Sequence, residues 1–104
     1  MRKKYLKLIS DFVKRTPEYQ QFAATLRQNT HSCQLCGRTD LELVVHHDPP
    51  AVIQLAKIYD TSKSSFENAQ LFYEKHLTGE ITVKVICYCC HSIIHKKIKN
   101  YKCL

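Results

Sequence analysis

Long apolar runs are missing from this 104-residue chain, and their absence removes a first class of function. Nowhere does the sequence approach the roughly 20 consecutive apolar residues that span a bilayer. Residues 1 to 15 alternate charged with apolar side chains where a secretory leader would need a continuous hydrophobic stretch. Neither a membrane span nor an export signal is expected, so the setting is read as reducing and cytoplasmic. Acidic residues are also scarce: nine Asp and Glu stand against sixteen Lys and Arg, a formal net charge of +7. Such an excess on a small domain favours a polyanionic partner, nucleic acid first, although solubility alone explains many basic domains. There is no internal repeat and no low-complexity tract, and the length suits one domain, 1–104. A single core of that size buries only a modest share of the surface, so something should staple it.

Six cysteines offer the staple, and their grouping matters more than their number. Cys33-x-x-Cys36 and Cys87-x-x-Cys90 are two knuckles of metal-ligand spacing far apart in sequence, which in a reducing compartment favours bound zinc over disulfides. The run Cys87, Cys89, Cys90 leaves the fourth ligand open between Cys90, which the spacing favours, and Cys89. Gly37, just after the first knuckle, permits the tight turn that aims backbone N–H groups at thiolates. Cys103 has no evident partner in the pattern.

Around the knuckles the hydrophobic pattern gives an α+β order. Tyr5, Leu8, Ile9, Phe12 and Val13 form a helical stripe over residues 3–15, and Thr16-Pro17-Glu18 caps a second helix from Pro17 to Arg27. Leu41, Leu43 and Val45 alternate as a strand into His46 and His47, and Asp48-Pro49-Pro50 must end it. Residues 51–79 are a helical insertion with helices over 51–59 and 65–77, the second with Ser65 as cap and Gly79 as stop. Ile81, Val83, Val85 and Cys87 alternate as a second strand, and a last helix starts near Cys90. The divisions are therefore N-terminal helices (1–30), knuckle and first strand (31–50), insertion (51–79), and second strand with metal-binding helix (80–104).

On that last helix His91 and His95 share a face at i, i+4 spacing. With His46 they can meet at one point, and three neutral imidazoles suit Zn, Ni, Mn or Co better than the oxygen-preferring Mg or Ca. His47 would stand beside that ion as a base. Adjacent strand residues point to opposite faces, so the turn forced by the two prolines is expected to swing His47 toward the metal. His31 and His76, each isolated in the pattern, read as structural. Lys96, Lys97, Lys99 and Lys102 extend from the same helix and can hold phosphates, or simply form a solvated helix end favoured by the dipole.

At residues 33–36, 41–50 and 81–95 the chain resembles the HNH endonuclease family, in the version with a four-cysteine zinc. Its all-histidine set resembles the colicin-like subgroup. The resemblance implies a zinc-stabilised ββα-metal domain that hydrolyses phosphodiester bonds in double-stranded DNA, with a structural Zn and a catalytic divalent ion, Zn, Ni, Mn or Mg. It implies that His47 is the general base, that His46, His91 and His95 bind the catalytic ion, and that a phage, mobile-element or restriction role is consistent. Thr82 stands where the family has an asparagine that tethers the loop holding the base, and threonine supplies one such hydrogen bond where asparagine supplies two. The alternative reading is a catalytically weak zinc-stabilised module that binds nucleic acid or protein.

Overall fold

The computed structural model describes residues 3–96. Lys97, Lys99, Lys102 and Cys103 lie outside the described residues. The described chain is a small α+β arrangement of five helices and a two-stranded antiparallel sheet. In order these are α1 (Lys3–Lys14), α2 (Pro17–Gln28), β1 (Leu43–His47), α3 (Ala51–Ile58), α4 (Ser65–Thr78), β2 (Val83–Cys87) and α5 (Tyr88–Lys96). They group into two compact units. A helical unit combines the described residues up to Phe22 with His47–Thr82, and a sheet unit combines Ala23–His46 with the described residues from Val83 onward.

In the helical unit α1 packs on α3 and α4. The buried face of α1 is Leu6, Ile9, Ser10 and Val13, an i, i+3, i+4, i+7 set. The expected stripe was rotated: Leu8 and Phe12 are 59% and 50% exposed, because centring the face on Leu6 and Ile9 carries both to its flank. Leu55 and Phe72 are fully buried in this unit. Thr16 links α1 to α2, its hydroxyl donating to the Val13 carbonyl at 2.6 Å and accepting from the Tyr19 N–H at 3.3 Å.

The turn between α3 and α4 is closed by Asn68, which is fully buried. Its side-chain oxygen accepts from the Asp60 N–H at 2.8 Å, and its Nδ2 donates to the carbonyls of Asp60 and Ser64, both at 2.9 Å. The cap of α4 is Ser64, one residue before the expected Ser65. Only from position 64 does the glutamate fall at N3, so that Ser64 Oγ accepts from Glu67 N–H and Glu67 Oε1 accepts from Ser64 N–H, both at 3.1 Å. Gly79 ends the helix in the left-handed region at φ 84°.

The sheet unit has its own core of Cys33, Ile86, Cys87 and Cys90, against which Leu41, Leu43, Val44 and Ile93 pack. The knuckle is tied to β2 through Gln34: its N–H donates to the Val85 carbonyl at 3.0 Å, and its side-chain oxygen accepts from the Val85 N–H at 2.8 Å. At Gly37, with φ 79°, the chain turns so that the Gly37 N–H reaches the Cys33 carbonyl at 2.9 Å. β2 starts at Val83 rather than Ile81, since the Ile81 N–H is already bonded to the Lys75 carbonyl at the end of α4. α5 starts at Tyr88, earlier than Cys90. The sulfur of Cys87 accepts from the Cys90 N–H at 3.4 Å, in the place an N-cap oxygen normally takes.

Removing the α4 capping box tests its worth. Ser64→Ala should cost about 1 kcal/mol of stability, read as an unchanged slope and a lower midpoint in urea, because one helix N–H loses its acceptor.

Candidate metal centres

The first centre is the four-sulfur set. Cys33, Cys36, Cys87 and Cys90 each present a sulfur within 4.8 Å of the others. Cys33 Sγ lies 3.8 Å from Cys90 Sγ, and Cys36 Sγ lies 3.7 Å from Cys87 Sγ. A tetrahedron with Zn–S bonds of about 2.3 Å has edges of about 3.8 Å, so the residues fit a structural metal such as zinc. The position left open in the sequence belongs to Cys90. No disulfide joins the described cysteines. Burial raises the Cys33 thiol, but backbone N–H donors of Cys36, Cys87 and Leu35 outweigh it and pull the thiol down to about 6. Stabilised thiolate is the ligand form.

The second cluster is built on α5 and the end of β1. His46, His91 and His95 offer one ring nitrogen each within 4.8 Å. The Nε2 atoms of His91 and His95 are 3.0 Å apart, one helical turn from each other. The His46 ring stands edge-on to both, with centroid distances of 5.5 Å to His91 and 5.6 Å to His95. Three nitrogens at this spacing suit a transition ion. His46 and His91 are half-buried and His95 is exposed, so one side of the cluster faces solvent.

His47 has a different environment. Strand β1 runs through it, so the expected departure from strand geometry begins one residue later, at Asp48. His47 is 7% exposed and belongs to the helical unit. Its Nε2 lies 2.7 Å from Nε2 of His76, and its ring stacks with those of Tyr19 and Phe72. His76 is buried on α4, with Nδ1 2.7 Å from the Phe72 carbonyl. Burial pushes its pKa below the usual histidine value, the Phe72 carbonyl opposing and Lys14 adding to the effect. The reading of His76 as a structural histidine missed this pairing, since nothing in the spacing connects residue 76 to residue 47. His31 is exposed.

The Thr82 hydroxyl donates to the Asp48 carbonyl at 2.7 Å and also lies 3.3 Å from Gln54 Oε1. The second tether comes from Gln54 on α3, a residue that sequence reasoning passed over. Its Nε2 donates to the carbonyls of Pro49 at 2.6 Å and Thr82 at 2.9 Å, and its Oε1 accepts from the Thr82 N–H at 2.7 Å. A buried carboxamide thus ties the loop that follows His47 to the residue that leads into β2. Lys96 is exposed at the end of α5, and it alone of the four lysines is described. No described helix is long and apolar enough to cross a membrane.

Comparisons with protein-family models, with curated proteins and with solved structures return no match.

Two outcomes follow for these groups. Cys87→Ser, or removal of zinc by a strong chelator, should abolish the cooperative melting of the sheet unit, because binding energy of a thiolate zinc site is folding energy. A chelated protein that melts like the untreated one would show that the sulfurs do not staple the fold. Gln54→Ala should cost about 1–3 kcal/mol in chemical denaturation, as Pro49 and Thr82 lose their buried partner. A change below a few tenths would mean the loop holds without it.

Proposed function

We propose that this chain is a metal-dependent endonuclease of the HNH kind, hydrolysing phosphodiester bonds in double-stranded DNA. The observation that carries the proposal is the convergence of His46, His91 and His95 on one point with a solvent-facing side. A histidine set of this kind, open on one side, suits catalysis more than structure, which a closed cage serves. The adjacency of His47 in sequence and the net charge of +7 add support.

A divalent ion held by His46, His91 and His95 would supply stabilisation of the negative charge that builds on the phosphate. Neutral His47 takes a proton from the attacking water. The water oxygen forms the new bond to phosphorus as the bond to the 3′ oxygen breaks. The departing 3′ oxygen takes a proton from solvent, which leaves 5′ phosphate and 3′ hydroxyl ends. Lys96, with Lys97, Lys99 and Lys102 of the same sequence run, holds flanking phosphates by charge, so binding weakens steeply with salt.

Supercoiled plasmid incubated with the protein and Mn, Ni, Zn or Mg should be cut, and His47→Ala should lower the rate roughly 100-fold or more, the usual contribution of a positioned base. Plasmid left intact with every metal, while DNA is still retarded in a gel, would replace the nuclease with a zinc-stabilised binding module.

A further inference from the structure

Two hydrogen bonds fix where the ring protons of His47 and His76 sit. A carbonyl oxygen can only accept, so the 2.7 Å contact between His76 Nδ1 and the Phe72 carbonyl requires a proton on Nδ1. In neutral His76 the other nitrogen, Nε2, is then an acceptor. The Nε2–Nε2 contact of 2.7 Å must take its proton from His47. Neutral His47 is therefore protonated at Nε2, and its basic lone pair is on Nδ1.

The surroundings hold that arrangement in place. The two imidazoles meet edge to face, with centroids 5.0 Å apart and planes at 83°. Phe72 packs edge-on against His76 at 4.7 Å and stacks with His47, and Tyr19 does the same from α2. Rotation of either ring would break a hydrogen bond inside an aromatic box. His76 is 3% exposed, and its burial keeps the ring in the neutral form that can accept.

We propose that His76 is a positioning residue, which fixes His47 in the tautomer whose Nδ1 is the proton-accepting atom. This rests on the reading of His47 as the general base. His76 is supplied by the helical insertion.

The test uses the full chain with its metals, labelled with ¹⁵N, and long-range proton–nitrogen correlation spectra of the imidazoles at neutral pH. His47 should be protonated at Nε2 and His76 at Nδ1. His76→Leu should let His47 populate the other tautomer and lower kcat for plasmid cutting roughly tenfold or more with KM unchanged, the scale seen when orienting partners of histidines are removed. His76→Gln, whose side-chain oxygen can still accept, should restore the tautomer and most of the rate. A wild-type His47 protonated at Nδ1, or a His76→Leu protein with undiminished kcat, overturns the proposal. If His76→Leu does not fold, the wild-type spectrum and the glutamine variant decide it. Plasmid left uncut by a wild type whose His47 is protonated at Nε2 overturns the nuclease reading alone and supports the tautomer assignment.

Discussion

Four sulfur atoms within 4.8 Å of one another constrain the sheet unit more tightly than its small apolar core does. Cys33 and Cys36 sit on a knuckle clamped to β2 through Gln34, while Cys87 ends β2 and Cys90 lies in the first turn of α5. A metal on these sulfurs would join knuckle, strand and helix at once, and would supply to a small domain the free energy that burial alone does not. The sulfur of Cys87 also caps α5, so the start and direction of that helix follow from a ligand position. His91 is the next residue after Cys90, and His95 is one turn further. The second cluster thus inherits its geometry from the first.

The adjoining histidines of β1 divide their work by strand alternation. His46 joins the α5 histidines, and His47 enters an aromatic box with His76, Tyr19 and Phe72. Within the helical unit, side chains hold both the His47 ring and the backbone that follows it. His76 shares a hydrogen bond with His47, while Gln54 and Thr82 bind the backbone of Asp48 and Pro49 immediately after it.

Local signals were legible wherever the physics is local. The CxxC spacing, the i, i+4 histidines, the proline after Thr16 and the glycine at 79 each act within one turn of chain, and the elements they mark form where expected. What failed was of two kinds. Boundaries moved when a backbone group was taken by a partner outside the expected pattern, as with Ile81 on the Lys75 carbonyl and Cys90 on the Cys87 sulfur. The rotated face of α1 has a similar origin, because Leu6 and Phe12 are equally apolar and only the packing of α3 and α4 chooses between them. His76 and Gln54 were invisible for a stronger reason. Each bonds residues 29 and 28 positions away, respectively, and a single sequence carries no mark of such pairs.

The central claim is that one thiolate cage organises a second, histidine-bound metal position. Native mass spectrometry of the purified chain titrated with zinc tests it most directly. The account predicts two ions per chain, one resistant to mild chelation and one weaker, with His91→Ala losing only the weaker. A single ion at saturation, unaffected by His91→Ala, would contradict it.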